Sequence, residues 1–170
     1  MIILKKLSLI LIVFVTVTNL TAAEKIDSNE HQLTFFSGNF DFSDNKQSAY
    51  LFGFQHQNEN LNRNTLIGNV SPITGGFVTE NSAAYFYTGI EWSVEMNGLT
   101  FTPSFAPGYY HKGDGKDLGH ALEFKSEVQL SYAASDKSSF GLSYNHVSNA
   151  SLGDKNPGAN SYMFNFLRNF

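Results

Sequence analysis

The sequence predicts an all-β fold, an eight-stranded antiparallel transmembrane β-barrel, from three observations. Apolar and polar residues alternate with a period of two over several segments, the pattern of strands with two different faces. Aromatic residues make up 15% of the chain and charged residues only 15%, against about 25% charged in ordinary soluble domains. The N-terminal segment has the form of an export signal. An exported, aromatic-rich, alternating chain is typical of outer-membrane barrels.

The first 23 residues are predicted to be a cleaved signal peptide. Lys5 and Lys6 precede an apolar run at 7–17, and the small residues Thr21-Ala22-Ala23 precede the polar Glu24. The run is shorter than the roughly 20 apolar residues that a membrane-spanning helix needs. Residues 24–170 are therefore expected to form one barrel domain.

The alternation is clearest in the second half of the chain. Five strands are predicted there, with a turn at Asn97-Gly98 after the first, and three less distinct strands precede them. The predicted strands lie near 32–40, 49–56, 66–77, 84–95, 99–107, 122–132, 138–149 and 160–170. Side chains predicted to face outward include Phe86, Ile90, Trp92, Leu142 and Phe164. Those predicted to form an interior polar network are Glu91, Glu95, Glu123, Lys125, Glu127 and Gln129.

A soluble β-sandwich would show the same alternation, so the pattern alone does not decide the architecture. The export signal, the aromatic content and the terminal Phe170 after an alternating strand favour the barrel. A closed barrel also has no sheet edge to bury in lipid. Eight strands of about ten residues, with short turns at one end and longer loops at the other, fit residues 24–170.

Composition excludes several classes of function. The chain has no cysteine, which excludes disulfides and thiolate metal sites, and its five histidines show no ligand spacing. No metal or other cofactor is therefore predicted. Without the two lysines of the signal peptide, nine basic and fifteen acidic side chains remain, a formal charge of −6. This charge argues against a nucleic-acid partner, which requires a basic face.

A candidate site lies where the seventh predicted strand meets a loop. His146 and Ser148 are two residues apart, so both project from one face of the strand, and Asn149 and Asn156 follow. That face also carries side chains predicted to face lipid. If both termini lie in the periplasm, this strand ends at the outer leaflet, which consists of lipopolysaccharide in a typical Gram-negative outer membrane. A nucleophile and a base there indicate a lipid substrate.

The segments His146-Val-Ser-Asn149 and Asn156-Pro-Gly158 resemble the signature of the PagL-type lipid A 3-O-deacylases, an acyloxyacyl hydrolase family of eight-stranded outer-membrane barrels. The resemblance extends weakly over most of residues 24–170. It implies that Ser148 is the nucleophile, that His146 is its general base, and that Asn149 and Asn156 stabilise the oxyanion. It also implies the outer membrane as location and lipid A of lipopolysaccharide as substrate.

Asn160 stands where the best-known members of that family have a glutamate that completes the triad. Its position is in phase with Tyr162 and Phe164, which places it on the same face as His146. An amide oxygen can accept the imidazole N–H, but an amide cannot offset the imidazolium charge. Two functions therefore stay open: an esterase that removes an acyl chain from lipid A, and a non-catalytic OmpA-like barrel with a structural or surface-binding role. The sequence also leaves a homodimer open.

Overall fold

A computed structural model describes residues 31–44, 46–66 and 68–170. The predicted signal peptide lies outside these residues. Within them, no helix has the length and hydropathy needed to cross a membrane. The described elements are β1 (His31–Phe40), β2 (Ala49–Asn58), a 3₁₀ helix (Glu59–Leu61), β3 (Arg63–Thr65), β4 (Gly68–Thr79), β5 (Ala84–Met96), β6 (Leu99–His111), β7 (Leu122–Ser135), β8 (Ser138–Ser148) and β9 (Ala159–Asn169).

Antiparallel pairing closes these strands into a barrel. From β4 onward each strand pairs with the next, and β9 pairs with β1, so the last strand meets the first. β2 pairs with both β1 and β4. The short β3, which the sequence did not predict, pairs along β4 alone and stays outside the ring. Eight strands therefore form the closed wall, which confirms the predicted fold class.

The outer surface of this wall is apolar. Phe86, Ile90, Leu142 and Phe164, all predicted to face outward, are exposed, Leu142 to 68%, while Trp92 is half-buried. Neighbouring rings stack along the surface, for example Phe140 against Phe164 with centroids 5.9 Å apart. Large side chains exposed in such number would be unfavourable in water, whereas a bilayer solvates them.

Polar side chains fill the interior. Glu91, Glu123 and Lys125 are buried, and Lys125 Nζ lies 3.0 Å from Glu127 Oε2. Next to them a polar cavity of about 490 Å³ opens toward one end of the barrel. Its lining includes Glu91, Glu95 and Gln129. The six residues predicted for the interior thus all face the inside of the barrel, although Glu95 lies near the open end and is exposed.

The two ends of the barrel differ. At one end, β5 and β6 are joined by Asn97 and Gly98, whose φ angles of 50° and 83° match the type I′ turn of tight hairpins. At the other end lie four connections, at 41–48, 80–83, 112–121 and 149–158, of which the last two have ten residues each. His31 and Phe170 are hydrogen-bonded to each other at the first end. The candidate site residues lie at the second, which we call the loop end.

Candidate active site

The register of β8 and β9 brings His146 and Asn160 together. The two residues are direct cross-strand partners, as Tyr144 and Tyr162 are two positions along. Their side chains share the outer face of the wall, as the alternation predicts. His146 and Ser148 are both half-buried, and Ser148 is the last residue of β8. Three of the predicted residues therefore share one face of two adjacent strands at the loop end.

A hydrogen bond joins the two cross-strand partners. His146 Nδ1 lies 2.8 Å from Asn160 Oδ1. The hydroxyl of Tyr144, on the same face, donates to that oxygen at 2.7 Å. The Ser148 hydroxyl forms no hydrogen bond within the described part of the chain, so it is available to His146 or to a substrate. Hydrogen bonds between nucleophile and base often tighten only when substrate binds.

Asn149 and Asn156 organise the loop that follows β8. Asn149 is fully buried, and its Nδ2 donates to the carbonyls of Leu118, at 2.8 Å, and Lys155, at 2.9 Å. The backbone N–H of Asn149 donates to Asn156 Oδ1 at 3.1 Å. Asn156 is exposed, and its Nδ2 has no partner among the described residues. Of the two amides, only that of Asn156 keeps a free donor.

Charged residues connect the same loop to the one between β6 and β7. Lys155 Nζ lies 3.1 Å from Asp117 Oδ2. This ammonium and the Gly119 N–H hold the pKa of the Asp117 carboxyl below its usual range. The two loops are thereby joined beside the site. Among the described residues, no three histidine or acidic side chains are grouped closely enough to hold a metal ion.

The sequence did not indicate a third segment at the site, the connection between β1 and β2. Phe42 N donates to Asn160 O at 3.0 Å, and Asn160 N donates to Asp41 Oδ1 at 3.3 Å. The Asn160 side chain donates through Nδ2 to Ser43 Oγ at 3.2 Å. Ser43 Oγ donates in turn to Asp41 Oδ1, also at 3.2 Å. Asp41 is fully buried and forms an ion pair with Lys116.

A family model described as lipid A 3-O-deacylase (PagL) matches residues 32–169, which include every strand after the first residue of β1 and the whole site. The chain belongs to the PagL family. It is therefore assigned as an outer-membrane barrel and a lipid A deacylase. The resemblance drawn from the signature residues is confirmed.

Solved structures show the same fold. The crystal structure of the outer membrane enzyme PagL has a TM-score of 0.63 at 15% identity, covering 81% of this chain and 98% of that one. A de novo designed transmembrane β-barrel has a TM-score of 0.55 at 8% identity, covering 86% and 100%. Neisserial surface protein A has a TM-score of 0.51 at 11% identity, covering 84% and 98%. A search of curated proteins found no match.

Gly158 leaves space for the imidazole of His146, the catalytic histidine predicted for this PagL-family chain. Its φ of 63° lies in the left-handed region, and a Cβ there would lie 2.7 Å from His146 Cε1 and 3.1 Å from Nε2. Gly158→Ala must therefore displace the imidazole. We expect kcat of deacylation to fall by roughly 10-fold to 100-fold, since a misplacement of about 1 Å can cost 100-fold. Turnover of lipopolysaccharide by the purified variant measures the loss.

Gly98→Ala is the matched control for this change. Gly98 also has a positive φ, of 83°, but a Cβ there meets nothing within 4 Å. Both variants carry the backbone strain of about 1–2 kcal/mol for a left-handed alanine. Only Gly158→Ala displaces His146, so equal activities in the two variants would show that Gly158 does not position the imidazole.

Proposed function

We propose that the protein is a serine esterase that removes one ester-linked acyl chain, at the 3-O position, from lipid A. Ser148 is the nucleophile and His146 its general base. The observation that supports this proposal is the 2.8 Å hydrogen bond from His146 Nδ1 to Asn160 Oδ1, which orients the imidazole two residues from Ser148. A barrel with only a structural role gains nothing from exposing these polar groups on a lipid-facing surface.

The reaction proceeds in two stages. His146 Nε2 takes the proton of the Ser148 hydroxyl as Oγ attacks the ester carbonyl, which becomes a tetrahedral oxyanion. The intermediate collapses when the imidazolium returns that proton to the departing sugar oxygen, leaving an acyl-Ser148 ester and deacylated lipid A. Water, deprotonated by the same nitrogen, then attacks the acyl ester. This attack forms a second tetrahedral intermediate. When it collapses, the imidazolium returns its proton to Ser148 Oγ and the fatty acid is released.

Asn156 is the proposed donor to the oxyanion. Its free Nδ2 sits on the loop that follows Ser148, and one such donor contributes roughly 10²–10³ in rate in other hydrolases. Asn149 is the other donor expected from the sequence, but its side-chain Nδ2 already donates to two carbonyls. We propose that Asn149 assists by holding Asn156 Oδ1 through its backbone N–H. A direct hydrogen bond from Asn149 Nδ2 to the oxyanion would require one of its two bonds to carbonyls to break.

The outer surface provides a place for acyl chains. A shallow apolar depression of about 290 Å³ lies on the wall below the site and includes Tyr144, the residue that contacts Asn160. The other apolar residues lining it are Phe101, Val128, Leu130 and Leu142. Lipid A in the outer leaflet could therefore keep its remaining chains against the barrel during reaction. All proposed catalytic residues come from one chain, so the homodimer left open by the sequence is not needed.

A non-catalytic barrel is the second candidate, and Asn160 is the observation that favours it. An amide in the triad position lacks the charge that stabilises an imidazolium. Replacing a triad carboxylate by its amide lowers kcat by about 10⁴ in a serine protease.

Mass spectrometry of lipid A distinguishes the two functions. The purified protein in detergent micelles is incubated with lipopolysaccharide, and lipid A is then released and fragmented. We expect the loss of one ester-linked acyl chain, a new hydroxyl at position 3, and an equal amount of free fatty acid. His146→Ala should leave lipid A intact, whereas His120→Ala, which removes an exposed loop histidine, should not. Unchanged lipid A after prolonged incubation with the folded protein would support the structural barrel.

A further inference from the structure

A chain of hydrogen bonds runs from the buried carboxylate of Asp41 to the imidazole of His146. We infer that Asp41 and Ser43 are positioning residues which, through Asn160, set the tautomer of His146. They compensate for the amide that stands in the place of a triad carboxylate. This inference deepens the proposed serine esterase mechanism and rests on it for its catalytic meaning. Each hydrogen bond in this chain has a fixed donor and acceptor, which can be assigned in turn, beginning at Asp41.

Asp41 can only accept hydrogen bonds. Its Oδ2 pairs with the Lys116 ammonium, whose side chain is also mostly buried, so the carboxylate is ionised. Oδ1 accepts from Asn160 N and lies 3.2 Å from Ser43 Oγ. Because an ionised carboxylate has no proton to give, Ser43 must donate its single hydroxyl proton to Asp41. The remaining capacity of Ser43 Oγ is to accept.

This requirement orients the amide of Asn160. Ser43 Oγ can only accept from Asn160, so Nδ2 must face Ser43 and Oδ1 must face His146 and Tyr144. An amide oxygen accepts only, and His146 Nδ1 must therefore carry its proton. A neutral imidazole protonated at Nδ1 has a bare Nε2. This is the nitrogen that has to take the proton from Ser148.

Ser43 and Asp41 are needed because the Asn160 amide alone can adopt either of two orientations. The Tyr144 hydroxyl can donate or accept, and a neutral histidine can protonate either nitrogen. With only these two partners, Asn160 could turn Nδ2 toward His146, which would then accept at Nδ1 and carry its proton on Nε2. Such an imidazole cannot act as a base toward Ser148. Lys116 neutralises much of the Asp41 charge, so we assign the effect of Asp41 to orientation rather than to its field.

The fold holds these groups together through the register of β1 and β9. Asn39 pairs with Tyr162, so continuing the register one step beyond β1 places Asp41 beside Asn160. Phe42, between Asp41 and Ser43, packs its ring 5.4 Å from that of Tyr162 and 6.2 Å from that of Tyr144. The segment 41–43 is thus anchored by backbone bonds, rings and an ion pair.

Nitrogen-15 NMR of the folded protein in detergent micelles tests the inference without any substrate, because the shifts of the ring nitrogens show which one is protonated. His146→Gln identifies the His146 signals. In the unaltered protein at a pH where His146 is neutral, we expect the proton on Nδ1. In Ser43→Ala no hydrogen bond to residue 43 distinguishes the two amide orientations, so roughly half of the molecules should carry the proton on Nε2. Ser43→Thr, which keeps the hydroxyl, should resemble the unaltered protein.

Two further variants complete the test. Ser48 lies in the same loop, and its hydroxyl donates to Asn39 rather than to Asn160. Ser48→Ala should therefore leave the tautomer unchanged. Asn160→Asp should abolish the effect of Ser43→Ala, because either carboxylate oxygen accepts from Nδ1. Exposed Ser43 is used rather than buried Asp41, whose loss would leave Lys116 unpaired. An unchanged tautomer in Ser43→Ala would overturn the inference.

Kinetics link the tautomer to catalysis. In Ser43→Ala, kcat should fall by about twofold with KM unchanged, following the fraction of molecules whose Nε2 is bare. A tautomer shift with unchanged kcat would overturn the catalytic part of the inference. If no variant deacylates lipid A but the tautomer shifts as described, the proposed function fails while the positioning of His146 by Ser43 stands.

Discussion

Ser148→Ala is expected to abolish deacylation, with kcat lower by roughly 10³–10⁶. Losses of this size follow removal of the serine in other hydrolases, where binding and the oxyanion site sustain only residual catalysis. Folding should be unaffected, since Ser148 ends a strand and its hydroxyl has no partner in the described part of the chain. Fatty-acid release from lipopolysaccharide measures the rate, and circular dichroism during thermal unfolding measures the stability of the barrel.

Ser139→Ala provides the matched control for that variant. Ser139 lies on β8 as well, but near the turn that joins β7 and β8, at the opposite end of the barrel. The same atom is removed from the same strand, and activity should remain at the level of the unaltered protein. If Ser148→Ala keeps a rate comparable with that of Ser139→Ala, the nucleophile is another group.

The second large effect is expected at Asn160, in both directions. Asn160→Ala removes the acceptor 2.8 Å from His146 Nδ1 and should lower kcat by about 100-fold, with a smaller change in KM. Asn160→Asp keeps the side-chain length and adds a negative charge that stabilises the imidazolium. It should raise kcat about tenfold, which corresponds to about 1.4 kcal/mol in the barrier. Asn160→Glu, which restores the family's residue, should also raise kcat.

Steady-state kinetics over a range of lipopolysaccharide concentrations separate kcat from KM for these variants. Asn165→Asp is a suitable control for Asn160→Asp, because Asn165 lies on β9 but is buried inside the barrel, where it donates to Ser143. An increase at both positions would indicate a general effect of charge. If Asn160→Asp leaves kcat unchanged, the imidazolium is not stabilised from this position.

The alternation of apolar and polar residues predicted most strands of the wall, because each strand faces lipid on one side and the polar interior on the other. It failed where this contrast is weak. β4 contains Gly75 and Gly76, which lack side chains, and buries the apolar Ile73 and Phe77 on the inner face. Its predicted range, 66–77, was consequently displaced by two residues. β3, with three residues, is too short for any period to be recognised.

The phase of Asn160 and His146 was predictable because the two residues lie fourteen positions apart on neighbouring strands. Asp41 and Ser43 were not, since they lie 119 and 117 positions before Asn160. Only the register of β1 against β9 brings them together, and no local pattern encodes that register. The burial of Asn149 was hidden for the same reason, because its partner Leu118 belongs to another loop.

The pairing of β1 with β9 is also the seam at which the barrel closes. Asn160 sits on one side of that seam, and Asp41 and Ser43 on the other. A chain that is still an open sheet has His146 and Asn160 on adjacent strands but lacks the support that Asp41 and Ser43 give to Asn160. The inferred orientation of His146 therefore depends on two chain ends that meet only in the closed barrel.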